Sequence, residues 1–307
     1  MSLITQYKIL PALSSLKHSC PAIVSLMIVP FLLASSAECT AKVLSAPGLK
    51  SVIESFEKNL GGRVGVALLD VRNASGWYYR ADERFPMAST SKALVCALLL
   101  KSGPAALTKK VKVLESDILE YAPVSKTLTG QYVTASDLCA ATMRTSDNTA
   151  VNKILDTLGG PKAVTAFLRQ IGNTSTRLDR NEPTLNEGRP GDVRDTTTPR
   201  AMAKTLQELI FGDTLNQQAR STLINWLKGN EVGGPLLRAG LPNDWQIADR
   251  TGAGGFGTRG VVAAVWPTER SPVVIVIYLT NTKASMDQRN AAIARIGREI
   301  AATLKQQ

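Results

Sequence analysis

Apolar and polar positions follow two rhythms along this chain, and the changes between them predict its layout. Residues 46–60 read as a helix. Residues 64–71 and 77–80 read as strands, joined around Asn73-Ala74-Ser75-Gly76 into a hairpin. From Ser89 to Gly229 helical segments follow one another. The run Ala93-Leu94-Val95-Cys96-Ala97-Leu98-Leu99-Leu100 lies behind Pro86, which suits a helix start. Residues 134–143 open on a Thr-x-x-Asp capping signal, and 148–158 stop at Gly159-Gly160. Residues 161–172 have Pro at the start and Gly at the end. The stretch 177–199 shows neither period, and a long aperiodic segment inside a compact domain is usually functional or disordered. Its paired charges and specific turn residues speak against disorder. Residues 245–250, 260–266 and 273–280 then read as strands, and 284–306 as a closing amphipathic helix.

Strands at both ends with helices between predict an α/β (α+β) architecture. One discontinuous α/β domain covers 45–80 and 230–307, and an all-α domain is inserted at 81–229, carrying the 177–199 loop. No internal repeat or low-complexity segment interrupts this pattern.

The first apolar run belongs to something else. Lys8 and Lys17 precede a stretch from Pro21 to Ala34 that is almost wholly apolar, and the small residues Ser35, Ser36 and Ala37 follow. That is the order of a secretory leader, expected over 1–37 with cleavage near Ala37. Glu38 directly before Cys39 argues against a lipoprotein site. A leader implies a periplasmic or otherwise extracellular location where disulfides persist, with no stable membrane association once it is removed. It also removes His18, the only histidine. A Ser-His-Asp triad and His-ligated zinc are then impossible, so any nucleophilic serine must rely on Lys or Glu.

Charge changes the picture little. There are 36 Lys and Arg against 25 Asp and Glu, a formal net charge of +11. The basic residues are spread along the chain, with no basic run interleaved with aromatics, so nucleic-acid binding is not expected.

Four stretches carry candidate chemistry. Ser89-Thr90-Ser91-Lys92 places a hydroxyl and an amine three residues apart, on one face of a helix start. A serine hydroxyl needs such a neighbour to take its proton. Thr145-Ser146-Asp147-Asn148 lies between two helices and is either a capping loop or a second hydroxyl and an amide facing a cleft. In the aperiodic loop, Glu182 is a candidate general base for water, with Asn186 as its positioning partner. Last, Arg250-Thr251-Gly252-Ala253-Gly254-Gly255-Phe256-Gly257-Thr258-Arg259 is either a Gly-rich hairpin connection or the end of an edge strand that holds an anionic substrate.

In this order and spacing the four stretches resemble the class A serine β-lactamases, over roughly residues 49–305. One departure stands out: Arg250 occupies the position where most of the family has Lys. That Arg-Thr-Gly string, together with Phe167-Leu168-Arg169-Gln170-Ile171-Gly172 and Leu185-Asn186-Glu187-Gly188, resembles the carbenicillin-hydrolysing penicillinase subgroup. The resemblance implies a five-stranded antiparallel sheet packed by terminal helices beside the helical domain, with the active site in the crevice between them.

It also implies roles. Ser89 is the nucleophile, deprotonated by Lys92, by Glu182, or by both through water. Ser146 passes a proton to the lactam nitrogen. The amides of Ser89 and Ala253 form an oxyanion hole, and Asn148 binds the substrate's side-chain amide. Arg250, Thr251 and Arg259 hold its carboxylate, with Gly252 in the same strand. Glu182 and Asn186 hold the hydrolytic water. An Arg180–Asp195 ion pair pins the loop. Similar family members carry a disulfide where Cys96 and Cys139 stand; the alternative is two buried free thiols, and Cys39 would be left unpaired. No metal or organic cofactor is needed, a monomer is expected, and small Gly254 implies little activity on bulky oxyimino-cephalosporins. The rival functions are a penicillin-binding D,D-peptidase and a β-lactam sensor, both of which stall as acyl adducts. Glu182-Pro183-Thr184-Leu185-Asn186 argues against both.

Overall fold

The computed structural model describes residues 46–73 and 75–306. The leader and Cys39 lie outside them. In chain order the elements are α1 (Pro47–Leu60), β1 (Arg63–Asp70), β2 (Gly76–Tyr79), β3 (Phe85–Pro86), α2 (Lys92–Lys101), α3 (Pro104–Thr108), β4 (Lys110–Lys112), β5 (Tyr132–Thr134), α4 (Ala135–Thr145), α5 (Asn148–Leu158), α6 (Pro161–Gln170), β6 (Thr196–Thr197), α7 (Pro199–Phe211), α8 (Gln217–Lys228), β7 (Gln246–Ala253), β8 (Arg259–Trp266), β9 (Val273–Thr280) and α9 (Met286–Lys305).

The two ends of the described chain meet in one sheet of order β2-β1-β9-β8-β7, antiparallel throughout. Register places Val66 opposite Ile277 and Ile277 opposite Val261, so side chains of one parity line up across three strands. Val64, Val66, Leu68, Val261, Ala263, Ile275 and Ile277 pack with Leu49 and Ile53 of α1 and Ile293, Ile296 and Ile300 of α9. Residues of the other parity, among them Ala67, Val262, Ala264, Val274, Val276 and Tyr278, join a second core with the helical layer. Both faces are covered, which is why β8 and β9 read as continuous apolar runs instead of alternating.

At the centre of the helical layer lies α2, apolar on every side and buried from Lys92 to Ala97. It packs against α4, α5, α6 and α8. Cys96 and Cys139 form a disulfide with Cα atoms 5.8 Å apart, tying α2 to α4 across 43 residues of chain. A bridge of that span restricts the unfolded chain. Replacing both cysteines by alanine is expected to cost about 2–4 kcal/mol in denaturant unfolding. A loss below about 0.5 kcal/mol would show that closing this loop of chain adds almost nothing to stability.

Three local expectations need correction. Pro86 does not start a helix. It sits in β3, opposite Thr196 in the returning loop, and Met87 N donates to Asp195 O at 3.0 Å. A 3-10 turn, Ala88–Ser91, then precedes α2, with Ala88 at φ 45°, so Ser89 lies ahead of the first α-turn. Residues 110–112 and 132–134 pair as a small two-stranded antiparallel sheet within the expected helical block. Finally, β7 runs past Arg250 to Ala253 and stops before Gly254, because Gly252 and Ala253 stay paired with Gly260 and Arg259. No helix among the described residues is long and apolar enough to cross a membrane.

Candidate active site

The 3-10 turn before α2, the start of α5, the aperiodic loop and the end of β7 converge on one cleft of about 350 Å³. Ser89, Ser146, Asn148, Asn186, Thr251, Gly252, Ala253 and Arg259 line it, joined by Tyr121, Val232 and Met286. Size does not mark this site. A groove of about 670 Å³ around Asp82, Arg200, Lys204 and Glu208 is larger, and none of the residues with candidate chemistry lines it.

Lys92 is the hub. Its Nζ donates to Ser146 O at 2.8 Å, Ser146 Oγ at 3.1 Å and Asn148 Oδ1 at 2.6 Å, and lies 3.0 Å from Glu182 Oε1. Ser89 Oγ donates to the same Oε1 at 3.4 Å. The Lys92 and Glu182 side chains are fully buried. Burial pushes the Lys92 ammonium down to about 8, the Glu182 carboxylate opposes that shift, and Arg250 adds to it. An amine so placed gives up its proton far more readily than an exposed lysine.

Both readings of Ser146-Asp147-Asn148 hold at once. Asp147 caps α5 by accepting from Ala150 N at 2.8 Å, and also accepts from Val124 N, Ser125 N and Ser125 Oγ. With Asp147 fixed, Ser146 ends α4 in the left-handed region at φ 68°, and its hydroxyl meets Lys92. Since Asn148 Oδ1 accepts from Lys92, its NH₂ is available to the cleft.

Glu182 is held on three sides. Asn186 Nδ2 donates to its Oε2. Its backbone N–H donates to Asn152 Oδ1 at 2.9 Å, and its carbonyl accepts from Asn152 Nδ2 at 2.9 Å. Asn152 was not singled out from the sequence. Its only signal is its place four residues after Asn148, on the same face of α5. Asn186 Oδ1, on the far side of its amide, is buried without a partner. A buried polar acceptor in that state fits an ordered water. Asp195 holds the loop: its Oδ2 takes Arg180 Nε at 2.6 Å, and its Oδ1 takes the backbone N–H groups of Asp179 at 2.7 Å and Arg180 at 3.0 Å.

The β7 edge closes the cleft. A side chain at Gly252 would put its Cβ 3.0 Å from Ser89 N and 2.9 Å from Met87 O, so only glycine lets the strand approach the serine turn. Gly255 N, in the turn after β7, donates to Asn186 O at 2.8 Å and ties that turn to the loop of Glu182. Arg259 donates to Asn290 Oδ1 at 2.8 Å and to Gly252 O at 3.1 Å. Burial, then the nearby Arg289, lowers its guanidinium to about 10.

Arg250 stands apart from the other candidates. It is 0% exposed, does not line the cleft, and its Nε and both NH₂ groups lack hydrogen-bond partners. Burial lowers it to about 10 against the pull of Asp249 and Glu182. It lies behind the wall that Thr251 and Arg259 present.

Comparison with known proteins agrees with this geometry. Residues 48–304 match the β-lactamase enzyme family. β-Lactamase PSE-4 of Pseudomonas aeruginosa is 48% identical over 251 residues, covering 81% of this chain and 87% of the relative. β-Lactamase AER-1 of Aeromonas hydrophila is 46% identical over 258 residues, covering 83% of this chain and 85% of the relative. Among solved structures, an ancestral class A β-lactamase superposes with a TM-score of 0.81 at 47% identity, covering 83% of this chain and 99% of that one. A mutant of the chromosome-encoded β-lactamase of Vibrio parahaemolyticus gives 0.80 at 44% identity, covering 83% and 99%. The chain belongs to the β-lactamase enzyme family and has the class A fold.

Proposed function

We propose that this serine β-lactamase opens the ring of penicillins by acyl transfer to Ser89 and then hydrolyses the ester with a water held by Glu182 and Asn186. One observation carries the reading: Glu182 Oε1 lies within hydrogen-bonding reach of both Ser89 Oγ and Lys92 Nζ, beside an Asn186 Oδ1 that lacks a partner.

In acylation, the Ser89 proton passes to Lys92, to Glu182, or to both through water, as Oγ attacks the lactam carbonyl. Negative charge grows on the carbonyl oxygen, where the amides of Ser89 and Ala253 receive it. The proton returns to the lactam nitrogen through Ser146, whose Oγ is 3.1 Å from Lys92 Nζ, and the C–N bond breaks. Asn148 NH₂ takes the substrate's side-chain amide, and Thr251 and Arg259 take its carboxylate. In deacylation Glu182 draws a proton from the water as it attacks the ester, the bond from the acyl carbon to Ser89 Oγ breaks, and the proton passes back to Oγ, 3.4 Å from Glu182 Oε1. A poised water base is what a stalling D,D-peptidase or sensor lacks. Steady multiple turnover of a chromogenic cephalosporin by the purified protein supports the proposal, and a single stoichiometric burst contradicts it.

The cleft fits the division of the chain into 45–80 with 230–307 on one side and 81–229 on the other. The leader read at 1–37 supports a periplasmic enzyme.

The Arg250-Thr251-Gly252 string supports carbenicillin as a substrate, hydrolysed at a rate comparable to ampicillin. Arg250 is fully buried behind the cleft wall, so it acts on the substrate's charges through the local field and not by contact. Arg250→Lys is expected to lower kcat/KM on carbenicillin by about tenfold, or roughly 1.4 kcal/mol in the transition state, with a smaller loss on ampicillin. Equal losses on both would assign Arg250 to the carboxylate that the two penicillins share. A wild type that barely hydrolyses carbenicillin would remove the subgroup reading and leave the β-lactamase.

A further inference from the structure

Sulfur is distributed unevenly over the described residues. Met87, Met143 and Met202 are at most 1% exposed, and Cys96 and Cys139 are joined in a disulfide. Met286 is 41% exposed. It is the first residue of α9, spanned by the capping box of Ser285 and Gln288, and it lines the cleft with Ser89, Thr251 and Arg259. A thioether is reactive toward two-electron oxidants, and access decides which methionine reacts. Met87 lies two residues before Ser89 and is shielded; Met286 is open.

We propose that Met286 is an oxidation site at the mouth of the active-site cleft, where peroxide-class oxidants weaken the binding of β-lactam carboxylates. The chemistry balances simply. The sulfur lone pair attacks one oxygen of hydrogen peroxide, the S–O bond forms and the O–O bond breaks. The thioether is oxidised to a sulfoxide, and the peroxide is reduced to water once the departing oxygen takes the second proton. A flexible apolar side chain becomes a polar one with a strong acceptor oxygen. Two of Arg259's donors already serve Asn290 and Gly252. An acceptor added to the same cleft competes with the substrate carboxylate for the rest. This consequence rests on the reading that Arg259 and Thr251 hold that carboxylate.

The purified enzyme is treated with graded hydrogen peroxide, its peptides are mapped by mass spectrometry, and kcat and KM for ampicillin are followed at each dose. The peptide holding Met286 is expected to gain one oxygen before those of Met87, Met143 and Met202. KM should rise about fivefold with kcat within about twofold, and methionine sulfoxide reductase should restore it. Met286→Leu, compared with its own untreated sample, should show no peroxide-dependent change in KM. Earlier oxidation of a buried methionine, or an unaltered KM with Met286 fully oxidised, overturns the proposal. Arg259→Ala measured without peroxide separates that failure from a failure of the carboxylate reading, because only the latter leaves its KM unchanged.

Discussion

Ser89→Ala is expected to lower kcat/KM on a chromogenic cephalosporin by about 10⁵-fold, the scale seen when a nucleophile is removed from a set of groups that act as one unit. The loss falls on chemistry and spares the fold. Ser89 Oγ makes one long hydrogen bond, 3.4 Å to Glu182, while the turn around it is held by Thr90 and Ser91 hydroxyls on the carbonyls of Met87 and Ala88. Denaturant unfolding should therefore move by less than about 1 kcal/mol. Substrate still meets Asn148, Thr251 and Arg259, so weak binding should persist in equilibrium titration. Activity within about tenfold of wild type would mean that another group attacks the ring.

Glu182→Ala separates the two halves of the reaction. Acylation retains a base in Lys92, whose buried ammonium sits near 8 and touches the Ser146 hydroxyl. Deacylation loses the group that holds and deprotonates the water, and Asn186 loses its own partner. Loss of a general base of this kind costs about 10²–10⁴-fold. Stopped-flow mixing with benzylpenicillin should show a rapid burst of about one equivalent followed by a slow steady rate. Slow hydrolysis without a burst would place Glu182 in acylation instead.

Elements with a burial pattern of their own could be read before the fold was known. Residues 148–158 match α5 to the residue, and 273–280 match β9, since an amphipathic face and a strand buried on both sides each write their period into the sequence. Candidate residues were legible for another reason: they lie in short strings at family-like spacing, and nearly all of them line or back one cleft. What was hidden depends on distant partners. Pro86 is drawn into β3 by Thr196, more than a hundred residues on, and that pairing overrides a local helix signal. Asn152 grips both backbone groups of Glu182 from another helix, a contact with no local trace. Arg250 lies behind the cleft wall, not on it, because even-numbered β7 residues such as Ala248 face the helical core, a parity fixed only once β7 pairs with β8. Met286 lines the cleft because α9 starts beside Arg259, which donates to Asn290 one turn further along that helix.

The central claim is an ester on Ser89 that Glu182 and its water remove. It is tested most directly by mixing Glu182→Ala with benzylpenicillin, quenching in acid, and locating the added mass by proteolysis and tandem mass spectrometry. The account predicts one intact, ring-opened penicillin per protein molecule, carried by the peptide containing Ser89 on that residue itself, persisting in the variant and gone within a few turnovers in wild type. An adduct on any other residue, or one that decays as fast in Glu182→Ala as in wild type, would contradict it.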